Sequence, residues 1–114
     1  MNAIDLLRAG LEAMGLSMLV PEAERLPMLN TVRIPEGAHD PKVRGTLLRR
    51  FGIEIGGGLG DLAGKVWRVG LMGHASSTRN VILFLAALET VLREQGVKVR
   101  PGALEAAAEV YAGQ

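Results

Sequence analysis

The sequence predicts an α+β domain of two layers, in which a small, mostly antiparallel sheet of about four strands carries helices on one face. Apolar residues recur at helical spacing in three long segments, and short segments between them alternate with a period of two. Proline or glycine stands at most segment boundaries. The predicted order is α-β-β-α-β-β-α-α.

The first half begins with a helix that ends at Gly15 and whose apolar stripe is Ile4, Leu7, Leu11 and Met14. A strand over residues 16–20 ends at Pro21, and residues 21–27 form a connector. A second strand covers residues 30–34 and ends at Pro35. It places Val32 and Ile34 on one face and Thr31 and Arg33 on the other.

The next helix begins at Asp40 and Pro41, an N-cap carboxylate followed by proline, and ends at Gly52. Its predicted buried stripe is Val43, Leu47, Leu48 and Phe51. Strands over residues 53–55 and 66–71 follow, on either side of a glycine-rich loop. The alternation points Trp67, Val69 and Leu71 toward the helices, and it points Arg68 to the opposite face together with Arg33 and Glu54.

The longest helix covers residues 78–95, is capped by Ser76 or Ser77 and ends at Gly96. Its core stripe is Val81, Leu85, Leu88 and Leu92, but it is apolar on more than one side. We therefore expect it to be covered twice, and we expect the chain alone to self-associate. A last short helix follows Pro101 and Gly102, with Leu104, Ala108 and Tyr111 on one face.

Composition excludes several classes of function. A formal net charge of +1 gives no reason to expect nucleic acid or an anionic membrane as a partner. No apolar run approaches the roughly 18 residues of a membrane span, and the N-terminus lacks the basic region of a secretory signal. The absence of cysteine fits a cytoplasmic protein. Two histidines and scattered carboxylates give no metal-site spacing.

The glycine-rich loop has glycine at positions 56, 57, 58, 60 and 64. It is not a P-loop, because Leu59 stands five residues before Gly64 and Val66 follows Lys65. A dinucleotide fingerprint would continue into a helix, whereas a strand is predicted here. From the residues alone, the loop is a long hairpin connection. For Arg68, periodicity alone favours a structural ion pair, for example with Glu54.

Residues 53–74 read IEIGGGLGDLAGKVWRVGLMGH. This segment resembles the C-terminal signature of the alanine–glyoxylate and serine–pyruvate aminotransferases, class V enzymes that use pyridoxal 5′-phosphate (PLP). The resemblance extends from Leu6 to about Arg93. It implies that residues 1–114 are the small C-terminal domain of a fold-type I aminotransferase and that the large PLP-binding domain is absent from the chain. The whole enzyme would be a homodimer that moves an amino group from alanine or serine to glyoxylate or pyruvate.

The resemblance also implies roles for particular residues. Arg68 matches the arginine that pairs with the substrate carboxylate, while Gly57, Gly58 and Gly60 match the glycines that border the substrate pocket. The family usually has proline where Asp61 stands, which places a negative charge near the pocket rim. No catalytic, cofactor-binding or metal-binding residue is carried over. Lys65 matches a structural position, since the Schiff-base lysine belongs to the large domain.

Two hypotheses of different classes follow. In the first, the chain is part of a transaminase and is inactive by itself. In the second, it is a stand-alone binding or interaction module whose arginine-bearing face recognises an organic acid or a partner protein without catalysis. Arg68-dependent binding of pyruvate or glyoxylate by the chain alone would favour the module.

His74, beside a helix N-terminus, is interpreted as a histidine whose hydrogen bonds are satisfied rather than as a catalytic base.

Overall fold

A computed structural model describes residues 3–19, 29–58, 60–70 and 78–103. Within these ranges the helices are α1 (Ala3–Ala13), α2 (Asp40–Phe51) and α3 (Thr78–Glu94). The four strands are β1 (Met18–Leu19), β2 (Leu29–Arg33), β3 (Gly56–Gly57) and β4 (Val66–Gly70), and a 3-10 turn covers Gly60–Leu62. This composition confirms the predicted α+β class and the count of about four strands.

The strands form one sheet in the order β1-β2-β4-β3, and every neighbouring pair is antiparallel. The central pair, β2 and β4, is in register over five residues, from Leu29 opposite Gly70 to Arg33 opposite Val66. β3 is a two-residue edge strand whose Gly56 and Gly57 lie opposite Arg68 and Trp67 of β4. β4 therefore has a strand on each side, which fixes the positions of its side chains.

The hydrophobic core lies between the sheet and the helices. Strand side chains that point toward the helices are buried, as the alternation predicts: Val32 and Trp67 are fully buried and Val69 nearly so. α3 packs against both α1 and α2. Its two apolar sides are thus covered largely within the chain, and Leu83 remains 54% exposed.

Helix α2 ends as predicted, but it begins differently. Gly52 adopts the left-handed conformation at φ 65° and its N–H reaches the carbonyls of Leu47 and Leu48, so a residue without Cβ suits the stop. The N-cap is His39, with no side-chain cap bond, and Asp40 is the first helical residue. The prediction of Asp40 as N-cap is wrong, because its carboxylate is engaged by side chains of α2 and β4 instead.

The predicted buried stripe of α2 is half correct. Val43 and Leu47 are buried, whereas Leu48 is 52% and Phe51 41% exposed. Leu48 lines a shallow depression between α2 and residues 54–55, which form no strand that could cover it. The guanidinium of Arg50 lies over the Phe51 ring, 5.1 Å from its centroid, and covers part of that side chain.

The strand predicted over residues 53–55 is also wrong, because the pairing with β4 occurs at Gly56–Gly57. Ile55 is buried in the core and Ile53 packs against it, so both side chains are used for packing in an irregular segment. A short apolar run has the same composition in a strand and in a buried connection, and periodicity does not distinguish them.

Several predictions concern residues outside the described ranges. They include the end of the first strand and the connector at residues 20–28, and positions 59 and 71–77 with Leu71, His74, Ser76 and Ser77. The last short helix is described only to Ala103, so Leu104, Ala108 and Tyr111 also lie outside.

Candidate functional site: an arginine at the sheet edge

Arg68 lies in the middle of β4, between Thr31 of β2 and Gly56 of β3. Its neighbours Trp67 and Val69 are buried in the core. Because successive strand residues point to opposite faces, the half-buried Arg68 side chain lies on the face away from the helices. Position and direction agree with the sequence prediction.

The Arg68 side chain extends across β3. Its Nε–H donates a hydrogen bond to the carbonyl oxygen of Gly57 at 2.7 Å. A Cβ on Gly56 would lie 3.0 Å from Nη2 of Arg68, which is tighter than most real contacts, so the missing side chain leaves the space that the guanidinium uses. The hydrogen bond to the Gly57 carbonyl fixes Nε of Arg68, and the two terminal amino groups of the guanidinium lie beyond this atom.

Within the described residues, no carboxylate forms an ion pair with Arg68, and Glu54 does not fill that role. Its only hydrogen bond there is the one to Gly57. A half-buried guanidinium whose two terminal amino groups have no acceptor among the described residues is suited to binding an anion, because its parallel N–H groups match the two oxygens of a carboxylate.

The glycine-rich loop packs onto the same face of the sheet as Arg68. Val66 shares that face, is buried, and lies under Gly58, where an added Cβ would be 2.9 Å from its Cγ2. The same Cβ would be only 2.1 Å from the carbonyl oxygen of Leu62, so Gly58 allows two parts of the loop backbone to approach closely.

The three glycines predicted to border a pocket therefore differ in what they do. Gly57 contacts Arg68 directly through its carbonyl oxygen. Gly58 provides the close approach, and Gly60 adopts a positive φ of 56° at the start of the 3-10 turn. Asp61 within that turn is exposed.

Asp40 joins the site from the opposite side of β4, and sequence reasoning missed it. Its Oδ1 accepts a hydrogen bond from Trp67 Nε1 at 2.7 Å and another from Arg44 Nε at 2.9 Å. Arg44 in turn packs on Gly57, with Cζ 3.5 Å from the position of a Cβ there. Two signals for the role of Asp40 were available in the sequence. They are its i,i+4 spacing from Arg44 and the need of a buried indole for an acceptor.

A cavity of about 380 Å³ lies elsewhere, and it is lined by α1, the end of α2, residues 52–55, Val69 of β4 and α3. Neither Arg68 nor any glycine from 56 to 60 lines it. The exposed side chains of Phe51 and Leu83 stand at its wall.

No protein-family model matches the chain. The (S)-ureidoglycine–glyoxylate transaminase of Bacillus subtilis is 43% identical over 106 residues, which cover 92% of this chain and 26% of that protein. Its crystal structure superimposes with a TM-score of 0.88 at 41% identity, over 96% of this chain and 29% of that one.

Two further relatives are also aminotransferases. The alanine–glyoxylate aminotransferase of Drosophila melanogaster is 36% identical over 82% of this chain and 24% of its own length. The pyridoxamine–pyruvate aminotransferase of Mesorhizobium loti has a TM-score of 0.84 at 31% identity, over 97% of this chain and 29% of that one. The chain belongs to the class V aminotransferases. It corresponds to their small C-terminal domain and spans about a quarter of the length of the curated relatives it matches.

Aminotransferases of this family depend on PLP. A lysine that forms a Schiff base is desolvated in a pocket, whereas Lys42, Lys65 and Lys98 of this aminotransferase domain are all exposed. In the described ranges, no group of three acidic, histidine or cysteine side chains could hold a metal ion. No helix there is long and apolar enough to cross a bilayer.

Proposed function

We propose that this chain is the C-terminal domain of a PLP-dependent transaminase, and that Arg68 binds the carboxylate of the amino-acid and oxo-acid substrates. The observation that carries the proposal is the Arg68 guanidinium, held through Nε by the Gly57 carbonyl and without an ion-pair partner among the described residues. The proposed donor is alanine or serine, and the proposed acceptor is glyoxylate or pyruvate.

The names of the relatives support this substrate class. The Bacillus subtilis and Drosophila melanogaster proteins are named for glyoxylate, and the Mesorhizobium loti protein for pyruvate. Both acceptors carry a carboxylate next to a carbonyl group, whereas the named amino donors differ widely. A residue that serves all of these reactions would therefore recognise the shared carboxylate.

Arginine suits this task better than lysine. Two parallel N–H···O bonds from a planar fork fix the orientation of a carboxylate as well as its position, whereas an ammonium group supplies charge without alignment. Orientation matters because PLP, when bound in the whole enzyme, acts as the electron sink for the bond that breaks at the substrate Cα. That bond has to stand perpendicular to the cofactor ring, and Arg68 would help to hold it there.

Within this proposal the remaining parts of the site come from outside the chain. The large PLP domain would supply the Schiff-base lysine and most of the phosphate contacts, and the full enzyme would be a homodimer. Gly57, Gly58 and Gly60 would form the pocket wall beside Arg68. Asp61 would stand near its rim, where a carboxylate disfavours substrates with a second negative charge.

A chimera tests the proposal. In the Bacillus subtilis relative, the matching C-terminal part is replaced by this chain, and transamination of glyoxylate is measured. We expect activity, and we expect Arg68→Ala to lower kcat/KM by about 100-fold or more, as when one partner of a close charge pair is removed. Arg68→Lys should be intermediate. Arg49→Ala is the matched control, because Arg49 is exposed on α2 and, in the part of the chain that the structure describes, its side chain bonds only Thr46.

An active chimera whose kcat/KM does not change in Arg68→Ala would refute the role of Arg68. An inactive chimera, combined with Arg68-dependent binding of pyruvate by the 114-residue chain, would instead support the stand-alone binding module. Calorimetry on the chain and on Arg68→Ala measures that binding.

A further inference from the structure

Arg68 is connected to the start of α2 by two routes that meet at one carboxylate. Along the first, Asp40 Oδ1 accepts the indole N–H of Trp67 at 2.7 Å, and Trp67 immediately precedes Arg68 in β4. Along the second, Asp40 accepts hydrogen bonds from Arg44 Nε and Nη2, at 2.9 and 3.5 Å. Arg44 packs on Gly57, whose carbonyl oxygen holds Arg68 Nε.

The burial of Asp40 and Trp67 restricts the movement of both side chains. The Asp40 side chain is only 16% exposed, and Trp67 is fully buried. A buried indole N–H without an acceptor is costly, so the Trp67 bond holds the ring, and the backbone of β4 with it, in one place. Gly57 lies opposite Trp67 in the sheet, so its Cα faces the helices. Arg44 therefore contacts the β3–β4 pair from the helical side, and Arg68 crosses the same pair on the other side.

We propose that Asp40 is a positioning residue for Arg68, which it holds in place through Trp67 on one route and through Arg44 and Gly57 on the other. The functional meaning of this inference rests on the proposed role of Arg68 as carboxylate clamp. The positioning itself does not, because it concerns the guanidinium before any ligand binds. A bidentate clamp depends on such support, since a shift of its plane loses the match to both carboxylate oxygens.

The first measurement is NMR on the ¹⁵N-labelled 114-residue chain. Trp67 is the single tryptophan, so its indole signal is unambiguous. The Arg68 Nε–H signal is identified by its loss in Arg68→Lys. We expect Asp40→Ala to move both signals and to speed proton exchange at Arg68 Nε about threefold to tenfold, the effect of losing one or two supporting hydrogen bonds. Asp40→Asn keeps an oxygen for Trp67 and should lie closer to the wild type.

A second variant separates positioning from general loosening of the fold. Val43 is fully buried on the same helix and its side chain is apolar, so Val43→Ala destabilises the domain without removing any of the hydrogen bonds that form the two routes. We expect its Arg68 Nε–H signal to stay as in the wild type. An unchanged Arg68 signal in Asp40→Ala would overturn the proposal. So would a change in Val43→Ala as large as that in Asp40→Ala.

The functional consequence is measured in the chimera with the Bacillus subtilis relative. Asp40→Ala should raise KM for glyoxylate about threefold to tenfold, and Asp40→Asn should recover part of that loss. An active wild-type chimera in which Asp40→Ala leaves KM unchanged would contradict the inference. An inactive wild-type chimera would count against the proposed function, whereas the NMR comparison would still decide whether Asp40 positions Arg68.

Discussion

A methyl group at Gly58 would meet the backbone of the loop to which this residue belongs. An ideal Cβ there lies 2.1 Å from the carbonyl oxygen of Leu62 and 2.9 Å from Cγ2 of Val66. The oxygen cannot turn away freely, because it accepts the N–H of Lys65 at 2.9 Å. Gly58→Ala therefore requires the main chain to move, and we expect it to destabilise the domain.

Gly57 provides a matched control one residue away. A Cβ on Gly57 would lie 3.5 to 3.8 Å from the Arg44 guanidinium, which is ordinary van der Waals contact. Neither Gly57 nor Gly58 has a positive φ, so the two substitutions have the same intrinsic backbone compatibility. The difference between Gly57→Ala and Gly58→Ala thus isolates the close approach to Leu62.

The magnitude follows from the two environments. Overpacking typically costs about 1–3 kcal/mol, while the gain of about 0.4–1 kcal/mol from restricting the unfolded chain is common to both Gly→Ala substitutions and cancels in the comparison. The free energies of unfolding of the two variants should then differ by about 1–3 kcal/mol. With a shift of about 4–8 °C per kcal/mol for a domain near this size, Gly58→Ala should melt about 5 °C or more below Gly57→Ala.

The assay is thermal and urea unfolding of both variants, followed by circular dichroism and by the fluorescence of the single tryptophan, Trp67. Agreement of the two probes shows that one transition is measured. Coincident melting temperatures, or a lower one for Gly57→Ala, would refute the reasoning from the Leu62 contact. The loop would then be adaptable, and Gly58 would not be required sterically.

Two further predictions concern the helices. A Cβ on Gly10 would lie 2.3 Å from Cδ1 of the fully buried Leu85. In Gly10→Ala the overpacking cost of about 1–3 kcal/mol is partly offset by the gain of about 1 kcal/mol in helix propensity, so we expect a net destabilisation that disappears in a Leu85→Ala background. Full additivity in that double-mutant cycle, measured by urea unfolding, would contradict the contact. Leu83 is 54% exposed beside the cavity that Phe51 also lines. Leu83→Glu should change the free energy of unfolding by less than about 0.5 kcal/mol and reduce the self-association expected of the chain. Light scattering that shows the same association in both proteins would contradict it.

Local signals predicted the parts of the fold that depend on local causes. Gly52 could be predicted as the end of α2 because the left-handed conformation favours glycine, and its φ of 65° agrees. The opposite directions of Trp67 and Arg68 could be predicted because a strand alternates whatever it pairs with. Each of these inferences depends on only a few neighbouring residues, so it holds whatever the tertiary arrangement around them.

The incorrect predictions depend on non-local pairing. The position of β3 at Gly56–Gly57 rather than at residues 53–55 reflects its pairing with β4 and its contacts with the guanidinium groups of Arg68 and Arg44, not β propensity. The sequence around Asp40 is typical of an N-cap, but the Asp40 carboxylate instead accepts a hydrogen bond from the indole N–H of Trp67, 27 residues away. The exposure of Leu48 depends on how far the sheet extends below α2. No pattern within a helix or a strand contains that information.

The Arg68 guanidinium explains why the edge strand has glycine at position 56. Alternation puts Gly56 and Gly57 on opposite faces, and an arginine crosses each of them, Arg68 on Gly56 and Arg44 on Gly57. An apolar strand could form the same main-chain bonds to β4, but a side chain at position 56 would occupy the space of the Arg68 fork. Glycine here makes room for a cation, which is a different task from the close approach at position 58 or the positive φ at position 60. The glycine at position 56 therefore follows from the position of the Arg68 side chain, whereas those at positions 58 and 60 follow from the path of the loop backbone.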